Sequence, residues 1–310
     1  MANSIGNPWF LALFVAVVLV LLAIDLGLFH RKAHVVGAKE ALCWSAIWIL
    51  LSVLFGAWVY REFGRQPGLE FFTGYLVEKA LSVDNIFVFM LIFSYFAVPP
   101  KLHHRVLFWG IMGALIMRGA FIFAGAQLIH TFHWVIYIFG AFLVFTGIKI
   151  LQQRGETQVK PEKNPVVRLF QRLIPLTSDY STAGFLTRRS GKWMATPLAL
   201  VLVTVETTDV VFALDSIPAI FGVTNDWFIV FTSNICAILG LRAMYFLLAA
   251  VMDRFVYLGT GLGIVLAFIG LKMLLSDLYP IGIEHSLLIV AAILFCSIVF
   301  SLLIPGNKRK

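Results

Sequence analysis

The chain is laid out as long apolar runs divided by short polar ones, and the runs have membrane-crossing length. Windows of about 20 apolar residues, enough to span a bilayer as helix, fall at 9–29, 41–60, 72–97, 106–128, 133–152, 195–222, 227–252, 256–276 and 286–304. The predicted architecture is therefore an all-α polytopic membrane protein of about nine transmembrane helices. Met1 to Pro8 has no basic stretch, and the first run continues through Asp25, which predicts a retained span rather than a cleaved signal peptide.

Composition agrees and narrows the class. Of 310 residues 60% are hydrophobic and 13% charged, with 29 Phe and 24 Gly, against about 45–50% and about 25% in soluble domains. No soluble core could hide that much apolar surface. The net charge of +8 suggests a nucleic-acid partner only until its placement is read. With the N-terminus outside, the cytoplasmic segments collect Arg31, Lys32, Lys39, Lys101, Arg105, the run from Arg154 to Lys192, Arg254 and the Lys308-Arg309-Lys310 tail. The opposite segments hold only Arg61 and Arg65. This is positive-inside topology, with the C-terminus cytoplasmic and no nucleic acid implied. Cys43, Cys236 and Cys296 lie singly inside apolar runs, so neither a disulfide framework nor a zinc site is indicated. The seven histidines fall at span ends or in loops.

The chain divides into two N-terminal helices (1–60), a three-helix unit (61–152), a basic cytoplasmic loop (153–193), a second three-helix unit (194–276), and a last helix with a basic tail (277–310). The two units resemble each other where charge is least tolerated. Glu78-Lys79-Ala80-Leu81-Ser82-Val83-Asp84-Asn85 sets against Asp209-Val210-Val211-Phe212-Ala213-Leu214-Asp215-Ser216, acid to acid at a spacing of six. Arg118 then sets against Arg242, and Gly147-Ile148-Lys149 against Gly270-Leu271-Lys272. Three spans per unit is an odd number, so the copies must enter the bilayer from opposite sides. That is the inverted repeat of many secondary transporters, whose sites lie near the midplane between copies.

Six acids fall inside spans: Asp25, Glu78, Asp84, Glu206, Asp209 and Asp215. At ~2.5–3.5 kcal/mol each, six unpaired charges would cost on the order of 15–20 kcal/mol. Lys79, Arg118 and Arg242 are the deep bases, too few to neutralise them all; ion pairs that merely hold the units together are the structural alternative. Residues six apart on a straight helix face about 240° away from each other, whereas Glu206 and Asp209 share a face. Pro218 leaves the Leu214 carbonyl without its helical donor. Asn85 adds an amide oxygen, and Ser82, Thr208 and Ser216 add hydroxyls. A metal set of Glu78, Asp84, Asn85, Glu206, Asp209, Asp215 and Ser216, with no Cys or His at that depth, suits hard cations such as Mg²⁺, Ca²⁺ or Mn²⁺. Arg118, Arg242 and Asp25 are the counter-ion or coupling candidates. Carboxylates that release a divalent ion can accept protons in its place, which makes cation/proton exchange the expected chemistry.

The two acidic motifs, with Thr232-Ser233-Asn234 and Leu239-Gly240-Leu241-Arg242, resemble the TerC/Alx family of integral membrane proteins, and the resemblance runs from about Phe10 to the last span. It implies Mn²⁺ efflux across a bacterial cytoplasmic membrane, with Glu78, Asp84, Glu206, Asp209 and Asp215 as the motif residues; Asp25 also looks family-like. The family's link with tellurium resistance is weaker as chemistry, since an acid-lined site repels an anion. The expected function is a divalent-cation exporter coupled to proton uptake, not an enzyme and with no resident cofactor. The alternative is a metal-sensing or metal-delivering scaffold whose 153–193 loop binds a protein partner.

Overall fold

The computed structural model describes residues 4–27, 37–132, 134–152, 164–177, 180, 184–189, 192–249, 257–279 and 281–303. Expectations for the basic residues of 28–36, 153–163, 250–256 and 304–310 lie outside the described residues. So do the side chains of Asp25 and Asp84, whose helices are described.

Among the described residues each apolar window falls largely on helix. In chain order these are α1 (Pro8–Gly27), α2 (Ala38–Phe63), α3 (Arg65–Tyr95), α4 (Pro100–Thr131), α5 (Val135–Gln152), α6 (Pro165–Leu173), α7 (Pro197–Phe221), α8 (Trp227–Leu239), α9 (Leu241–Ala249), α10 (Leu258–Leu274) and α11 (Ile283–Leu303), with a hairpin of β1 (Leu186–Arg189) and β2 (Lys192–Ala195) before α7. Five described helices are long and apolar enough to cross a membrane, and six if α8 and α9, bent by 42° at Gly240, count as one span. These are five or six of the nine expected crossings. The described parts of α1 and α10 are apolar but shorter, and α3 carries Glu78, Lys79 and Asp84. Ile116, Phe145, Leu288 and Phe295 are more than 60% exposed, a surface that lipid must cover.

Local chemistry sets the joints. Asn164, Thr196 and Asp226 cap α6, α7 and α8 through side-chain acceptors. Gly64, at φ 97°, makes the break between α2 and α3, a conformation that Gly adopts without strain. The 153–193 segment is more than a solvated loop. Asn164 Nδ2 donates to Thr207 Oγ1 at 2.9 Å, Val167 packs inward, and Leu169 and Leu173 of α6 face outward.

Contacts between distant parts of the chain sort into two ends. At one, Ser4 Oγ donates to Asp226 (2.8 Å), Thr224 Oγ1 donates to Glu70 (2.6 Å) and Arg65 pairs with Glu284 (2.8 Å). At the other, Tyr180 OH donates to the Phe96 carbonyl (2.8 Å), and Arg105 lies over the Phe185 ring.

The helices of the two three-helix units pack crosswise: α3 against α8, α4 against α7, and α5 against α10. The α5/α10 contact is antiparallel and reciprocal. A Cβ on Gly140 would lie 3.0 Å from the Gly270 carbonyl oxygen and one on Gly270 2.6 Å from that of Gly140; Gly147 and Gly263 meet likewise at 2.6 and 3.0 Å. In the register of the charged motifs Gly140 corresponds to Gly263 and Gly147 to Gly270. Residue i thus meets the counterpart of j, and j the counterpart of i, as contacts across a two-fold axis do.

Candidate metal-cation site

Arg118 of α4 is the largest fully buried side chain among the described residues. Its guanidinium forms an ion pair with Glu78 of α3 and donates from Nη2 and Nε to both oxygens of Asp209 of α7, at 3.2 and 3.3 Å. Glu78 and Asp209 each open one of the two acidic motifs aligned in the sequence, so one arginine joins the two motifs. The residues that end the two motifs, Asn85 and Ser216, lie close by. Arg118 Nη1 donates to Ser216 Oγ at 3.4 Å, and the Asn85 amide, oriented with its oxygen towards α4, accepts from Arg118 Nη2 at 3.2 Å. Asn234 of α8 accepts from Nη1 at 3.5 Å.

Four of the expected ligands, Glu78, Asn85, Asp209 and Ser216, therefore converge on one buried guanidinium. Two carboxylates against one cation leave an excess negative charge at this point. Glu78 Oε2 is buried and, among the described residues, accepts no hydrogen bond. A buried acceptor left unmatched is costly unless a further cation or proton approaches.

Glu206, one turn before Asp209, lies against α4 at Gly113, where its carboxylate fills the space a Cβ would need. Its Oε2 is likewise buried without a hydrogen-bond partner among the described residues. Asp215 sits apart from the guanidinium: Thr146 Oγ1 of α5 donates to its Oδ1 at 3.4 Å. Helix periodicity accounts for the separation, because α7 continues unbroken past Pro218 to Phe221 and positions six apart diverge. Thr208 is turned back to the Thr204 carbonyl (2.7 Å). Among the described residues no three His, Cys, Asp or Glu side chains stand close enough to hold a metal ion by themselves.

Arg242, the counterpart of Arg118, is also buried but occupies a different setting, beside Leu22, Trp44, Trp48, Phe108 and Phe246. Lys79 points away from the Arg118 cluster. Its Nζ donates to the Ala237 carbonyl at 3.1 Å and lies 6.0 Å from the centre of the Tyr75 ring. Ser52 Oγ reaches the neighbouring Cys236 carbonyl at 3.4 Å. These carbonyls belong to the last turn of α8, where the bend at Gly240 deprives them of regular helical donors.

Sequence reasoning left Asn234, Gly113 and Thr146 out of the site. Asn234 carried a usable signal, being an amide inside an apolar run. Gly113 and Thr146 matter only through what α7 brings against them.

Residues 63–310 match the family described as integral membrane protein TerC family. An uncharacterized membrane protein of Myxococcus xanthus is 53% identical over 97% of this chain and 94% of its own length. Proteins of Salmonella typhi and Escherichia coli K12, both named Alx and provisionally described as membrane-bound redox modulators, are each 47% identical, over 99% and 96% of this chain and 98% and 96% of their own. No solved structure matches. With a family match over most of its length and relatives covering nearly all of it, the chain belongs to the TerC family of integral membrane proteins.

Proposed function

We propose that this protein exports divalent metal cations, Mn²⁺ by preference, in exchange for protons. The observation that carries the reading is the convergence of Glu78 and Asp209 on Arg118 in a buried polar cluster with more negative than positive charge. Carboxylate, amide and hydroxyl oxygens suit a hard cation. Arg118 keeps the two acids compensated while no ion is present, and an arriving divalent cation competes with the guanidinium for them. Its departure leaves carboxylates that the guanidinium and protons neutralise again, which links metal movement in one direction to proton movement in the other. Glu206, with an unmatched oxygen one turn away, and Asp215 beside Thr146 are the next acids along α7.

The reciprocal glycine contacts between α5 and α10, and the crosswise packing of α3 with α8 and α4 with α7, support an inverted repeat, the architecture of alternating-access carriers. The sorting of loops into two ends supports nine crossings in a cytoplasmic membrane, with the end containing Ser4 and Glu70 outside and that containing Phe185 inside, as the basic residues require. The redox description of the relatives brings no thiol pair with it here: the free cysteines Cys43, Cys236 and Cys296 lie on α2, α8 and α11.

The test is Mn²⁺ flux into proteoliposomes under an imposed pH gradient, with wild type beside Glu78→Gln, Asp209→Asn and Asp215→Asn. Wild-type flux that follows the gradient and falls at least tenfold in the first two variants is expected. Mn²⁺ binding without flux would turn the reading to the scaffold, whose partner would be sought on 153–193.

A further inference from the structure

At the end of the bundle that holds Ser4 and Glu284, a vestibule of about 550 Å³ opens between the start of α3, the turn after α7, the end of α10 and the start of α11. Its charged lining is Arg65, Glu70, Lys272 and Glu284, with His285 beside them. Arg65 and Glu284 pair with each other. Glu70 is held on two sides, accepting from Thr224 Oγ1 at 2.6 Å and from Gln66 Nε2 at 3.0 Å, and Lys272 lines the same vestibule. The cavity beside Arg242, in the other half of the molecule, is about 20 Å³, room for about one water.

Two polar residues of α8 lie between Glu70 and the buried cluster. Glu70 and Glu78 lie on the same helix, eight residues or about 12 Å apart. Midway between them Gly74 presents bare backbone: a Cβ there would lie 2.9 Å from Ser233 Oγ. The next residue of α8, Asn234, reaches Arg118. Ser233 and Asn234 of α8 thus set a hydroxyl beside Gly74, one turn inward of Glu70, and an amide at the buried cluster, and the missing side chain at Gly74 gives the Ser233 hydroxyl its place.

Resting on the reading above, we propose that this vestibule is the outward mouth of the cation path, and that Glu70 is the carboxylate at which a hydrated divalent cation makes its last stop before leaving. Thr224 and Gln66 hold the carboxylate in position. Lys272, a base in the same lining, offsets the charge of the acid when no ion is there and opposes the ion when it is. A cation that keeps most of its water needs a wide chamber rather than a closed cage, and the vestibule is wide, with side-chain oxygens from Gln66, Glu70 and Glu284 in its lining.

The test reads occupancy rather than transport. In right-side-out membrane vesicles, Val223→Cys reports the vestibule through its reaction with a membrane-impermeant maleimide, with the wild-type chain as background. Labelling from outside, slowed severalfold by MnCl₂, is expected. Adding Glu70→Gln should remove the slowing, and adding Lys272→Met should bring it on at a severalfold lower Mn²⁺ concentration. Labelling from the cytoplasmic side alone, no slowing with Glu70 present, or slowing undiminished by Glu70→Gln would overturn the proposal. Gln66→Cys serves as a second reporter if Val223→Cys does not reach the membrane. An absence of flux in proteoliposomes would count against the exporter and leave this readout standing.

Discussion

The ammonium of Lys79 donates to the carbonyl of Ala237, 3.1 Å away, where α8 gives way to α9. A lysine next to an acidic site residue would ordinarily be assigned to that site. Here it serves the backbone of a bent span, taking up a carbonyl at the bend. Lys79→Met should lower the thermal midpoint in detergent by the equivalent of about 1–3 kcal/mol, the cost of a buried acceptor left unmatched. Lys79→Arg should recover part of the loss, because it restores a donor. Equal midpoints for wild type and Lys79→Met would show that the carbonyl finds another donor.

Arg118 separates two acids that cannot remain charged and unpaired in the interior. Arg118→Met alone should cost about 3–5 kcal/mol and abolish flux. Combined with Glu78→Gln and Asp209→Asn it should regain most of the stability and none of the flux. Thermal unfolding together with Mn²⁺ flux makes the distinction, since a purely structural triad would recover its flux along with its fold.

Gly113 gives a sharper test of the Glu206 carboxylate. Gly113→Ala places a methyl group where that carboxylate now lies, while alanine is the better helix former. Flux should fall severalfold with little change in thermal midpoint. Flux equal to wild type would mean that Glu206 can stand elsewhere without consequence.

The glycines of α10 offer an internal control. Gly263→Ala would press a methyl group to 3.0 Å from the Gly147 carbonyl oxygen, whereas a Cβ on Gly259, one turn away, meets nothing within 4 Å. Gly263→Ala should destabilise by about 1–3 kcal/mol; Gly259→Ala should be neutral or mildly stabilising. Paired melting curves decide, and equal effects would refute the close packing of α5 on α10.

Much of this was legible in the sequence, for identifiable reasons. A 20-residue apolar run has few options in a membrane, so the windows at 106–128 and 195–222 foresee α4 and α7 within a few residues. The cost of intramembrane charge picked out Glu78, Asp209 and Arg118 before any contact was known. What stayed hidden depends on how the helices cross. Nothing local to Asp215 tells that it faces Thr146 while Asp209, six residues earlier, faces Arg118. Nor does the likeness of Arg118 to Arg242 in sequence disclose that one joins the two units and the other lies among tryptophans. The 153–193 stretch reads as polar loop because a nine-residue helix such as α6 is shorter than any hydropathy window.

The glycine seam between α5 and α10 also bears on movement. Side chains can swing, compress or trade partners, and an interface built from them can slide; backbone set directly against backbone has nothing to give. Gly140 on Gly270 and Gly147 on Gly263 therefore act as a pair of rivets. For the exporter proposed above, a working stroke would leave that seam fixed as its pivot and take place among the other helices, where α3 and α7 carry the acids.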